Sequence, residues 1–180
     1  MKTVRLFAFA GALLSLAAPA RAEVCTDRSA GQYASNSSLC VSSALAPRTG
    51  ATYGPENLAG ETDRAWCEGA PGDGKDEYVR ITYAQPVRFK TLLVGNGYAK
   101  SPALYAANAR ARTVRIETGD GLRITAMLPD RGETHAIRLP RTAKTRTVRL
   151  TIVDVYRGEK HRDLCLHLFT PNFEEMDSEN

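Results

Sequence analysis

The sequence predicts an all-β domain, an antiparallel β-sandwich or jelly roll, on three observations. From Tyr53 onward, short runs of alternating apolar and polar residues are separated by turn residues at even spacing. No segment beyond the first 22 residues sustains the roughly 3.6-residue apolar period of a helix, so the pattern lacks crossover helices. Four cysteines, all beyond residue 22, supply an even count of the kind that staples a domain in an oxidising compartment.

The first element is not part of that fold. Lys2 and Arg5 precede the apolar stretch LFAFAGALLSLAA, and Ala20-Arg21-Ala22 has the small-x-small form of a cleavage site. The stretch is about 13 residues long, against the roughly 20 that a spanning helix needs. Residues 1–22 therefore read as a signal peptide, with a secreted or periplasmic chain starting at Glu23. Cys25 lacks the preceding small-residue box of a lipid anchor, and no later segment is apolar enough to span a membrane. Removing Lys2, Arg5 and Arg21 from 24 bases leaves 21 against 20 acids, so the basic balance belongs largely to the signal. Arg138, Arg141, Lys144, Arg146 and Arg149 form a local basic run and FEEMDSEN an acidic end. Bases spaced along strands form a solvated face, and no nucleic-acid partner is expected.

Residues 23–41, rich in Ser and Asn with little periodicity, read as a disulfide-pinned lead-in to a domain over 42–170. EYVRITYA places Val79, Ile81 and Tyr83 on one face, and VRFKTLLVG follows Pro86 as a further strand. SPALYAANARA has room for one short helical turn. RTVRIET and LRITAML flank Gly119-Asp120-Gly121, a hairpin signal. THAIRLP, RTVRLTIVDVY and DLCLHLF complete the strand set, and residues 171–180 read as an acidic, frayed tail. Of the three possible cysteine pairings, Cys25–Cys40 closing the N-terminal loop and Cys67–Cys165 tying an early strand to the last are favoured. The second closes about 100 residues, where chain entropy gives roughly 4–5 kcal/mol.

Catalytic and metal motifs are missing. There is no G-x-S-x-G, no H-E-x-x-H and no phosphate-cradling loop, since GDGKDE precedes a strand rather than a helix. No C-x-x-C occurs, and His135, His161 and His167 show no ligand spacing with the cysteines, so no metal or other cofactor is expected. The chain reads as no enzyme. A hydrolase acting on glycans would need paired acids about 5 to 9 Å apart, which a sequence does not place.

Three stretches, YGPENLAGETDRAWCEGAPGDGKDEYVRITY, VGNGYAKSPALYAANARARTVRI and VRLTIVDVYRGEKHRDLCL, together resemble the NADase-type glycan-binding domain. The specific pieces are Ala65-Trp66 with Glu68-Gly69, Asn96-Gly97-Tyr98 with Lys100-Ser101, Asn108-x-Arg110, and Val155-Tyr156-x-Gly158. That domain is a discoidin-like module found beside the catalytic part of a streptococcal NAD-glycohydrolase toxin and in stand-alone exported proteins. The resemblance runs from about Ser42 to Phe169. It implies a discoidin-like jelly-roll β-sandwich and a carbohydrate-binding role, and not NAD hydrolysis, whose chemistry lies in a separate domain. Two departures stand out. Gly60 and Arg64 replace the Asp and Thr of a loop that often holds Ca²⁺ in discoidin-like folds, and a guanidinium there opposes a cation. LHL replaces the family's Ser-Glu after the cysteine.

The expected ligand-binding residues are Tyr98, Lys100, Tyr105, Asn108 and Arg110: aromatic faces for stacking on a sugar ring, with amide and cationic donors for its hydroxyls or carboxylate. Trp66 reads as core and Asn96-Gly97 as a tight turn. Glu68 reads as structural, with an Arg110–Glu68 brace as the alternative to an Arg110 ligand role. The expected function is an exported, non-catalytic module recognising a glycan or glycoconjugate through a loop surface. The alternative is an exported structural or protein-interaction module of the same fold, with the basic run as its partner surface.

Overall fold

Side chains alternate across a strand, so the apolar set Val79, Ile81 and Tyr83 can be buried only if this stretch is extended along one layer. A computed structural model describes residues 22–61 and 63–177. The expected signal segment lies outside them, except for Ala22. The strands are β1 (Val24–Arg28), β2 (Ser37–Val41), β3 (Trp66–Cys67), β4 (Tyr78–Asn96), β5 (Arg110–Thr118), β6 (Arg123–Met127), β7 (Thr134–Tyr156) and β8 (Cys165–Pro171). Two short helices, α1 (Pro102–Ala107) and α2 (Glu174–Asp177), interrupt them. Val79, Ile81 and Tyr83 are buried as expected, and Tyr78, Arg80 and Thr82 face outward.

All strand pairs are antiparallel, in the order β1-β2-β4-β7-β5-β6, with β8 on the far half of β4 and β3 on β8. The long strands β4 and β7 run together through the whole molecule. Tyr78–Thr82 pair with Thr151–Thr147, and Val87–Gly95 with Thr145–Thr134, with register shifts between. Bending there turns one ladder into two facing layers. Val79 and Ile81 from one arm pack in the same buried cluster as Phe89, Val94 and Phe169 from the other. Each such aliphatic or aromatic side chain removed from water contributes about 1.5–3 kcal/mol, which makes this cluster the main stabilising term.

Three sequence expectations need correction. Pro86 and Pro140 do not separate strands. Each sits where the β4–β7 register skips, so its missing N–H costs no ladder bond. The lead-in over 23–41 is not irregular either. Its β1–β2 hairpin pairs with β4 and buries Leu39 and Val41 completely. The tail is held as far as the described residues go: Pro171 pairs with Leu92, Asn172 N–H donates to Thr91 O, and Phe173 packs edge-on against Tyr83 at 6.2 Å.

Both favoured disulfides are present. Cys25 faces Cys40 across β1 and β2, and Cys67 faces Cys165 across β3 and β8, each pair with Cα atoms 4.1 Å apart. The hairpin at Asp120-Gly121 is closed by Thr118 N–H donating to Leu122 O, with Gly121 at φ 84°. Among the described residues no helix is long and apolar enough to cross a membrane.

Candidate functional site

The connection from β4 to β5 begins with Asn96, which is fully buried. Its side-chain amide donates to Ala111 O at 2.8 Å and accepts from Ala111 N–H at 2.9 Å, so it continues the sheet where the backbone turns away. Gly97 follows at φ 76°, and a Cβ there would lie 2.5 Å from the Tyr105 ring. Only glycine serves both demands. The chain then divides into a scaffold part and a surface part.

The scaffold part is α1 and its flanks. Ser101 caps α1, its hydroxyl accepting from Leu104 N–H at 3.2 Å, with Pro102 in the first turn. Asn108 closes the other end by donating from its amide to Leu104 O at 2.8 Å. Arg110, only 8% exposed, donates to Asn108 O and Arg157 O and forks onto Asp130. Tyr105 O–H donates to the same Asp130 at 3.0 Å, and the guanidinium lies 5.1 Å from the Tyr105 ring centroid. That hydrogen-bonded guanidinium holds the Asp130 carboxyl below its usual range. Three expected site residues, Tyr105, Asn108 and Arg110, thus come together as a brace between α1 and the turn after β6.

The expected Arg110–Glu68 brace is not formed, because Asp130 takes the guanidinium. Glu68 is fully buried and accepts from Ala70 N–H at 2.6 Å and Leu164 N–H at 3.4 Å. Burial pushes its carboxyl up to about 7 despite those donors. Trp66 is buried as expected, donating from its indole N–H to Ser43 O at 2.8 Å. Gly158 is fixed by space: a Cβ would stand 2.4 Å from His161 O and 2.5 Å from Ala107 O.

The surface part is Tyr98 and Lys100. Tyr98 packs its ring beside Ala65 and the Cys67–Cys165 bridge, and its O–H reaches Asp63 O at 3.4 Å. It remains half-exposed at a depression of about 510 Å3 whose rim includes Arg48, Thr52, Asp63, Arg64 and Lys100. Arg48 stands on a tight turn in which Arg48 and Ala51 exchange two backbone hydrogen bonds at 3.0 Å, with Gly50 at φ 76°. Sequence reasoning missed Arg48, Thr52 and Asp63, which lie in loops without periodic signal. A second hollow of about 440 Å3 lies between β1, β2 and β4. Its aromatic residue, Tyr83, is 5% exposed, so it offers no ring face.

The depression carries a half-exposed aromatic ring, three cations and one carboxylate, Asp63. It therefore lacks the facing acid pair of a glycoside hydrolase. In the neighbouring loop the Thr52 and Ala65 carbonyls accept from the Asn57 amide at 2.7 and 3.2 Å, the Asn57 Oδ1 is buried without a hydrogen-bond partner, and the nearby acids Glu61 and Asp63 are exposed. The one His/Cys/Asp/Glu cluster with metal-like spacing among the described residues is Glu23, Cys25 and Cys40, whose cysteines are tied to each other. Much of the basic run is engaged internally. Arg138 meets Glu175, Arg141 meets Asp120, and Arg149 lies 3.6 Å from the Tyr78 ring centroid.

The NAD glycohydrolase translocation F5/8 type C domain family matches residues 32–169. The match starts inside the lead-in, consistent with β2 being an integral strand. Among solved structures, the family 32 carbohydrate-binding module from C. perfringens NanJ in complex with galactose aligns with a TM-score of 0.56 at 8% identity, over 74% of this chain and 90% of that one. A second such module from Clostridium perfringens, in complex with GalNAc-β-1,3-galactose, gives 0.53 at 9% identity, over 74% and 92%. The mycobacterial arabinofuranosyltransferase AftD gives 0.54 at 16% identity, over 74% of this chain and 10% of that one. At these identities the likeness is one of fold. No curated protein matches the chain.

Proposed function

Because the chain belongs to the NAD glycohydrolase translocation F5/8 type C domain family, we propose that it is an exported, non-catalytic carbohydrate-binding module. Its glycan sits in the depression beside Tyr98. The observation that carries this reading is the Tyr98 ring: locked from behind by the disulfide cluster, tethered through its hydroxyl, and half-exposed where donors and an acceptor converge. A pre-set ring face can stack on the apolar face of a pyranose with little ordering cost. Asp63 then accepts hydrogen bonds from ring hydroxyls, beside the Arg48 and Lys100 cations on the same rim. Tyr105, Asn108 and Arg110 act as positioning residues that hold the loop carrying Tyr98. The two clostridial modules of the same fold, solved with galactose and a galactose disaccharide, support the ligand class.

One shallow site of this size binds a free sugar weakly, so useful affinity comes from an extended or multivalent ligand. The test is a glycan array probed with the oxidised chain from Glu23 to Asn180, displayed multivalently. Reproducible hits that Tyr98→Ala abolishes and Tyr98→Phe keeps are expected. A blank array from folded protein overturns the reading in favour of a protein-interaction module. Export is checked by sequencing the N-terminus of protein recovered from the periplasm and medium, where cleavage after Ala22 is expected.

A further inference from the structure

The depression beside Tyr98 has a charge pattern that a neutral sugar does not explain. Arg48, Arg64 and Lys100 stand on its rim against the single carboxylate of Asp63. Arg64 has Glu61 at 3.6 Å, an exposed contact at 63% on both sides, which is weak. Among the described residues, neither Arg48 nor Lys100 has an acid within 4.0 Å. Other surface arginines, Arg80, Arg112, Arg123, Arg138 and Arg141, each meet a carboxylate, whereas Lys144 and Arg146 also lack one among the described residues but line no depression with an aromatic ring. The two unpaired cations also come from separate loops, one on the Arg48–Ala51 turn and one just before α1, and converge on one rim.

We propose that the ligand of this depression is an acidic sugar unit, one carrying a carboxylate or a sulfate. This rests on the carbohydrate-binding reading above and narrows it. The pieces divide the work. Tyr98 takes the apolar face of the ring. Asp63, an acceptor only, takes ring hydroxyls. Arg48 and Lys100 take the anion, the guanidinium fork matching the paired oxygens of a carboxylate or sulfate. Arg48 is pre-set for this, because its backbone is fixed by the two-way bridge to Ala51 while its side chain is exposed. A galactose-type ligand without charge would leave both cations unused.

The experiment compares matched glycans on the oxidised chain from Glu23 to Asn180. One arm sets oligogalacturonides against the same chains with carboxyls reduced to alcohols. The other sets heparin oligosaccharides against their desulfated forms, and neutral galactosides serve both arms. The acidic member of at least one pair is expected to bind about tenfold tighter than its neutral partner. That preference should shrink as salt rises from about 0.05 M to about 0.5 M, since exposed charges are screened. The arm that responds identifies carboxylate or sulfate as the source. Arg48→Ala and Lys100→Ala should each remove most of the preference and leave neutral binding unchanged, while Lys144→Ala and Arg146→Ala should do neither.

Equal binding of acidic and neutral partners, unaffected by Arg48→Ala and Lys100→Ala, overturns the acidic-sugar inference and leaves the carbohydrate-binding reading standing. Loss of acidic binding in Lys144→Ala or Arg146→Ala as large as in Arg48→Ala also overturns it, because the attraction is then diffuse. Folded protein that binds no member of either arm and no neutral galactoside overturns both readings together.

Discussion

Arg110 and Asp130 meet through two guanidinium contacts, Nε to Oδ1 at 3.0 Å and Nη2 to Oδ2 at 2.7 Å, and Tyr105 of α1 joins them on the same carboxylate. The arginine is 10% exposed at its side chain and the aspartate 37%, so the pair straddles the surface. The Arg110 Nη1 group donates to the carbonyls of Asn108 and Arg157, which ties the end of α1 to the end of β7.

Arg110→Ala should therefore cost about 2–3 kcal/mol, because it strips partners from two carbonyls as well as from Asp130. Asp130→Ala should cost less, about 1–2 kcal/mol, since the guanidinium keeps both carbonyls. Urea unfolding of the two single variants and the double variant gives the coupling. The double should be less than additive, and additive costs would mean that the pair contributes nothing of its own.

Glu68 sets the pH response. Its carboxyl is raised from 4.5 to about 7 by burial, so the folded chain holds this proton more tightly than the unfolded chain does. The stabilisation is fully present below pH 4.5 and is lost as pH rises through about 7. The whole effect is at most about 3 kcal/mol. Asp130 has the opposite sign: its lowered pKa gives stability that is lost as pH falls. Glu68→Gln should therefore gain stability relative to the parent as pH rises from about 5 to about 8. Parallel pH profiles for parent and variant in chemical denaturation would show that Glu68 does not titrate in this window.

The two disulfides should differ in worth. Cys67–Cys165 spans 98 residues of sequence and Cys25–Cys40 spans 15. In the chain-entropy account, losing the first costs about 4–5 kcal/mol and losing the second about 3 kcal/mol. The double substitution Cys67→Ala with Cys165→Ala should lower the melting temperature more than Cys25→Ala with Cys40→Ala. The first also frees the surface on which Tyr98 rests, so it should weaken glycan binding while the second leaves binding intact.

Much of this architecture was legible because period-two alternation is a local property. Val79, Ile81 and Tyr83 announce β4, and Asp120-Gly121 announces the β5–β6 hairpin. Asn96 and Gly97 announce the turn, since their roles depend on backbone within reach. What stayed hidden depends on partners far along the chain. Ser37–Val41 is short and polar, and only pairing with β4 makes it a sheet strand. Pro86 and Pro140 read as breaks until the register skips opposite them are seen. Asp130 lies 20 residues from Arg110 in a turn with no pattern, so nothing in the sequence prefers it to Glu68 as a partner. Arg48 and Asp63 reach Tyr98 only through the fold.

Asn57 is where the question of a cation in this loop is decided, since its Oδ1 is buried without a hydrogen-bond partner. Its amide nitrogen donates to Thr52 O at 2.7 Å and Ala65 O at 3.2 Å, in the loop where the family's Asn-Leu-x-Asp-Gly pattern has become Asn57-Leu58-Ala59-Gly60. One neutral side chain thus supplies a donor to both carbonyls. Asn57→Ala should cost about 1–2 kcal/mol, because it strips the donor from the buried Ala65 carbonyl and from the more exposed Thr52 carbonyl. Calcium and chelator should give the parent the same melting temperature. Asn57→Asp places a carboxylate among those carbonyls, so it should be destabilised in chelator and recover in millimolar calcium. A parent that melts several degrees lower in chelator, about 1–2 kcal/mol for a domain of this size, would show that a cation holds the loop after all.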